Sequence, residues 1–137
     1  MATIVSTDFI ALMLRLTAGG ALLVHGIPKA KGGWGKQAGQ WIGSMGVHPR
    51  AATLVTLLEL FGALFLMIGL LVPVVAAFFA VQFLGIIAMK VRKMKAGFMG
   101  ADGKPGYELD YVYLVLSLAI LMVGAGSISL DGLLGVL

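Results

Sequence analysis

The 137 residues include no cysteine. That excludes a disulfide framework, a thiol relay within the chain, and zinc or iron–sulfur centres held by thiolates. Charge is also scarce. Asp, Glu, Lys and Arg make up 12% of the chain, against about 25% in a typical soluble domain. Hydrophobic residues fill the space instead, at 60% of the sequence with a mean hydropathy of +1.03. So short and apolar a chain has too little polar surface to cover a water-soluble core, and lipid is its expected solvent. The formal charge is +4, but the basic residues sit beside apolar runs and leave no separate domain for a basic groove. Nucleic acid is therefore not an expected partner. The opening residues lack a basic n-region, and the apolar run from Phe9 continues through Arg15 without a cleavage box. They are expected to be a first membrane helix rather than a signal peptide.

A span needs about 20 mostly apolar residues. Four stretches qualify: about 8–25, 51–71, 73–89 and 109–125. The reading is all-α, a single transmembrane domain over 1–137 built as an integral membrane four-helix bundle. Pro73 suits the first turn of the third span, where its missing N–H costs nothing, and spans two and three are expected to form a tight antiparallel hairpin. Lys29, Lys31, Lys36 and Arg50 lie in or bound the first loop. Lys90, Arg92, Lys93, Lys95 and Lys104 lie in the third. Arg15 is the single basic residue on neither. The positive-inside rule then puts both loops in the cytoplasm and both termini outside, in a multi-pass protein of the cell membrane. Within the first loop, Trp34, Ala38, Trp41, Ile42 and Met45 recur at helical spacing. This predicts a short interfacial helix with tryptophans at headgroup depth, either a plain surface anchor or a lid over a lipid-facing pocket. The basic third loop either attracts anionic lipid or a soluble partner, or simply fixes topology.

Charged residues inside a bilayer are costly, face the bundle interior and tend to pair. Arg15 and Glu59 meet that description. Counted at 1.5 Å per residue, Arg15 lies roughly 10 Å, Gln82 roughly 13 Å, Glu59 roughly 18 Å and His25 roughly 25 Å below the outer ends of their spans. Arg15, Gly19, Leu22 and Gly26 share one helix face, and Glu59, Gly62, Leu66 and Gly69 share another. Glycines so spaced let backbones approach closely, so Arg15 and Glu59 are expected to meet across a glycine-lined contact. The pair is either a structural register pin or part of a proton path in which Glu59 carries the proton. His25, followed by Gly26, Pro28 and Lys29, reads as the end of its helix. It either anchors that end or passes protons between cytoplasm and Glu59. Glu108 and Asp110 suit the positive end of a helix dipole, and tyrosines at a membrane boundary are ordinary. Asp110 with Tyr113 or Tyr111 can also face a cavity shared with His25, where a tyrosine hydroxyl would meet a quinone carbonyl. Haem is not expected: His25 and His48 are the two histidines, and His48 precedes Pro49 in a loop. No metal-ligand spacing is present.

Arg15-Leu16, Gly19-Gly20, His25-Gly26 and Lys29 resemble the opening of DoxX-family membrane proteins. Glu59-Leu60-Phe61-Gly62, Gly69-Leu70 and Pro73 resemble the same family. So do Tyr107-Glu108-Leu109, Leu114, Gly124 and Ser129-Leu130-Asp131. The resemblance covers nearly the whole chain. It implies a four-helix membrane bundle and the oxidoreductase label that DoxX-like and DoxD-like proteins carry, with links to quinones and to soluble redox enzymes. The expected function is a redox-associated membrane subunit holding a quinone or small apolar ligand between its helices. Arg15, Glu59 and His25 would form the polar, catalytic floor. Gln82, Tyr107, Asp110 and Tyr113 would contact the ligand. Membrane lipid surrounds the protein, and a soluble or peripheral redox partner would meet the cytoplasmic face, with homo-oligomer formation in keeping. Two alternatives stand beside this: a non-enzymatic scaffold recruiting partners through its basic loops, and a small-solute or proton-coupled carrier. Fold alone does not choose among them.

Overall fold

The computed structural model describes residues 6–32, 40, 43, 48–101 and 105–136. Those residues form five helices, with a tight turn joining the second to the third. The helices are α1 (Thr7–Lys31), α2 (Arg50–Ile68), α3 (Val72–Arg92), α4 (Glu108–Val123) and the short α5 (Leu130–Leu134). The first three are long and apolar enough to cross a membrane. At 16 residues, α4 is shorter. The interfacial helix expected around Trp34, Ala38, Trp41, Ile42 and Met45 lies outside the described residues.

Local chemistry explains most boundaries. The Ser6 hydroxyl accepts from Phe9 N at 3.2 Å and caps the start of α1. Contrary to expectation, α1 does not stop near His25. It runs through Pro28 and ends at Gly32, whose N–H donates to the Pro28 carbonyl at 2.9 Å. A proline inside a helix removes one donor, and here the helix absorbs that loss for one further turn. Helix α2 closes at Gly69, whose φ of 78° suits a residue without Cβ. Two residues later Leu71 turns the chain into α3, with Pro73 in the first turn.

All four long helices run antiparallel to their neighbours. Gly19 sits so close to α2 that a Cβ there would lie 2.7 Å from the Ala63 carbonyl oxygen. A Cβ on Gly26 would lie 2.8 Å from Leu60 Cδ2. The α1 face of Arg15, Gly19, Leu22 and Gly26 is buried as a set. Pairing is uneven. α1 packs chiefly on α2 and α3 chiefly on α4, while α1–α4 and α2–α3 touch less extensively. The expected tight packing of spans two and three is thus confined to a tight turn and to close approaches such as that of Gly62 to Phe79. The core holds Leu66, Val72, Phe79, Phe83 and Ile120, together with five buried polar residues: Arg15, Thr56, Glu59, Ser117 and Asp131. The outside is apolar, with Phe9, Met13, Val24, Leu54, Phe61, Val74, Val81, Leu84 and Met122 exposed. An apolar exterior around a partly polar interior fits lipid as the solvent. Helical N–H and C=O groups are satisfied within the helices, and the Thr56 and Ser117 hydroxyls donate to the carbonyls of Ala52 and Tyr113 at 2.8 and 2.7 Å.

Candidate functional site

Arg15 and Glu59 do not pair. Arg15 is fully buried, and its guanidinium donates to the carbonyls of Leu66 at 3.0 Å, Met67 at 3.3 Å and Ile128. These carbonyls belong to the last turn of α2 and to the chain just before α5. The last carbonyls of a helix have no intrahelical donor, and arginine supplies several N–H groups in a rigid fork. Glu59 lies two turns earlier on α2, roughly 10 Å away along the axis. Asp131 completes the cluster around Arg15. Its carboxylate accepts from Leu71 N and Val72 N at 2.8 Å each, and its own N–H donates to the Gly69 carbonyl at 2.9 Å. Arginine and aspartate thus close the α2–α3 turn from both sides, and the expected role of Arg15 beside Glu59 is replaced by one in holding this end together.

Glu59 has other partners. Lys29 Nζ lies 2.9 Å from its Oε2, and Gln82 Nε2 donates to its Oε1 at 2.9 Å. The carboxylate side chain is 3% exposed while that of Lys29 is 42% exposed, so one ion pair reaches from the surface to the interior. A second lies between α3 and α4, where Lys90 bonds Asp110 and also donates to the Gly106 carbonyl at 3.1 Å. In the sequence both lysines stand out only as topology signals, because their carboxylate partners lie on other helices.

Both ion pairs line one cavity of about 600 Å³ at the end of the molecule that carries the lysines. That volume suits a small organic molecule. Leu22, Ala52, Val55, Ile86 and Met89 give it apolar walls. Phe83 and Tyr113 stack at 5.0 Å and 24°, and the His25 ring meets Tyr113 edge-on at 6.1 Å. Its exposed lining residues are His25 and Lys29 of α1, Pro105, and Leu109 at the start of α4. The Tyr113 side chain is buried, yet its hydroxyl has no hydrogen-bond partner among the described residues. Buried hydroxyls are nearly always satisfied, and an exception points to a missing partner.

Of the residues singled out from sequence, His25, Glu59, Asp110 and Tyr113 share this cavity. Gln82 stands behind Glu59. Tyr107 instead packs against Phe98 at 5.4 Å, and Tyr111 meets the same ring at 5.9 Å. His48 accepts from Arg50 N at 3.2 Å, at the start of α2. Among the described residues no group of three His, Asp or Glu side chains is placed to hold a metal ion.

No solved structure matches this chain. A curated relative, "Putative oxidoreductase CatD" of Bacillus subtilis (strain 168), is 32% identical over 120 residues, which span 88% of this chain and 83% of the relative. The DoxX family model matches residues 10–91. That match takes in all of α2 and nearly all of α1 and α3, including Arg15, His25, Lys29, Glu59 and Gln82: this membrane protein belongs to the DoxX family.

Proposed function

We propose that the chain is a membrane subunit of a redox system, holding the ring of a quinone or a similar small aromatic molecule in the cavity beside Glu59. The observation that carries this reading is the buried, unpartnered Tyr113 hydroxyl in a cavity whose walls are largely apolar. A ligand oxygen within reach would complete its bonding, and the Phe83–Tyr113 stack offers a flat aromatic wall for a ring. The word oxidoreductase in the relative's name supports the same class of chemistry.

In this reading α4 is the fourth span of a four-helix bundle. Its helix covers roughly 24 Å, and the turns after Gly124 carry the chain to the surface. The lysine-bearing end faces the cytoplasm of a multi-pass cell-membrane protein, with both termini outside. Glu59 and His25 move protons between the ring and that face. Lys29 takes the place expected of Arg15 as the counter-charge of Glu59. Electrons come from a soluble or peripheral partner docking on the basic loops. No feature of the cavity favours the scaffold or carrier readings over this one.

The test is ligand recovery. Protein purified from membranes in mild detergent is extracted with organic solvent and assayed for quinone, alongside a Tyr113→Phe variant. The wild type should carry near-stoichiometric quinone and the variant markedly less. Ligand-free protein that also fails to take up added quinone would end this reading.

A further inference from the structure

The cavity's polar groups have an asymmetry that bears on which redox form of a ring fits. An ionised carboxylate only accepts hydrogen bonds, an ammonium only donates, and a tyrosine hydroxyl does both. Glu59 uses Oε2 for Lys29 and Oε1 for Gln82, which leaves half of its four acceptor positions open. Asp110 receives Lys90 on Oδ2, and among the described residues nothing donates to its Oδ1. Both carboxylates therefore present free acceptor capacity to a largely apolar space. The donors around them are mostly spent. Lys90 keeps one N–H beyond those given to Asp110 and Gly106, and the spare donors of Lys29 and His25 lie at the solvent-exposed mouth rather than beside the buried carboxylate.

We propose that this cavity selects the reduced, hydroxyl-bearing form of its aromatic ligand, a hydroquinone or phenol, over the oxidised carbonyl-bearing form. The proposal rests on the ring-binding reading above. A quinone brings two acceptors and no donor. It satisfies Tyr113 but brings no donor for the open acceptor positions of the two ion-paired carboxylates, and unused acceptor capacity in such surroundings is costly. A hydroquinone brings an O–H at each end. Each hydroxyl donates to a carboxylate while its oxygen still accepts from Tyr113 or a lysine. One additional hydrogen bond to a charged group corresponds to a preference of at least about tenfold. For a two-electron couple that ratio raises the midpoint potential of the bound ligand by about 30 mV above the free one. The site then holds the product of ring reduction more tightly than its substrate.

The experiment uses the full-length protein in detergent under argon, titrated by calorimetry with tetramethyl-p-benzoquinone and with tetramethylhydroquinone. Protein-free micelles serve as the blank, and the fully substituted ring prevents addition of lysine amines. The hydroquinone should bind at least about tenfold more tightly. Equal affinities, or tighter quinone binding, overturn the selectivity while leaving the ring-binding reading in place. Absence of binding by both overturns the two together. Asp110→Asn, which replaces an acceptor by a group that also donates, should bring the ratio towards one. An unchanged ratio in folded Asp110→Asn removes that residue from the selection. The wild-type ratio decides the main question without any variant.

Discussion

Lys29 reaches Glu59 across the α1–α2 contact, with its ammonium 2.9 Å from a carboxylate that is almost wholly buried. The charge on Glu59 is thereby tied to a side chain that solvent reaches.

Glu59→Gln keeps the shape of the side chain and leaves Lys29 free to turn to water. The variant is expected to fold, to retain ring binding within a few-fold, and to lose quinone-linked turnover in membranes. Full turnover in the folded variant would remove Glu59 from the proton path.

Lys29→Met strands the carboxylate instead. Removing one partner of a buried pair costs about 3–5 kcal/mol, and the exposure of Lys29 reduces that towards about 1–2 kcal/mol. Adding Glu59→Gln to Lys29→Met should recover most of the loss. Thermal melts of the four proteins in one detergent measure the coupling, and strict additivity would show that the pair contributes nothing.

Arg15→Met removes three hydrogen bonds to carbonyls at once. A loss of at least about 3 kcal/mol is expected, and the chain after Gly124 should become the first site of proteolytic cleavage. Ring binding at the opposite end should survive wherever the variant still folds. Selective loss of ring binding, with proteolysis unchanged, would return Arg15 to the ligand site.

Asp131→Ala leaves Leu71 N and Val72 N without their carboxylate. Loss of such a cap costs about 0.5–2 kcal/mol. Because Arg15 holds the adjoining segment, the effects of Asp131→Ala and Arg15→Met should be less than additive in a double-mutant cycle.

Gly19 and Gly20 are neighbours with opposite surroundings. A Cβ on Gly19 would lie 2.7 Å from the Ala63 carbonyl, whereas one on Gly20 meets nothing within 4 Å. Gly19→Ala should lower the melting temperature and push α1 away from α2. Gly20→Ala should leave it unchanged or raise stability by about 0.5–1 kcal/mol, because glycine is less favourable than alanine in a helix interior. Equal effects would contradict the close approach.

How far the sequence reveals this molecule depends on how local each signal is. Hydropathy marks long apolar runs because lipid demands them, yet it sets the end of the first near His25, well short of Lys31 where α1 ends. Burial of Arg15, Gly19, Leu22 and Gly26 on one face followed from the helical repeat. The partner of Arg15 did not follow. Depth counting set it near Glu59, but the relative slide of two helices is a tertiary property, and bare carbonyls at the end of α2 offered a better match to a guanidinium. Lys29 was missed for a local reason. Gly26 and Pro28 read as a stop, yet α1 continues to Lys31, which places Lys29 one turn beyond His25 on the same side. Asp110 is legible as a charge at a helix start and Lys90 as a loop charge that sets topology. Their meeting depends on how α3 and α4 pack.

The two ion pairs have a mechanical consequence. Lys29–Glu59 belongs to the α1–α2 unit and Lys90–Asp110 to the α3–α4 unit, so neither bridges the seam between the units. At the Arg15 end, backbone and side-chain bonds rivet the units together. At the other end the Gln82–Glu59 amide contact is the polar link between α2 and α3 among the described residues. Widening the mouth by rocking one unit about the riveted end therefore breaks one neutral-donor hydrogen bond and separates no opposite charges.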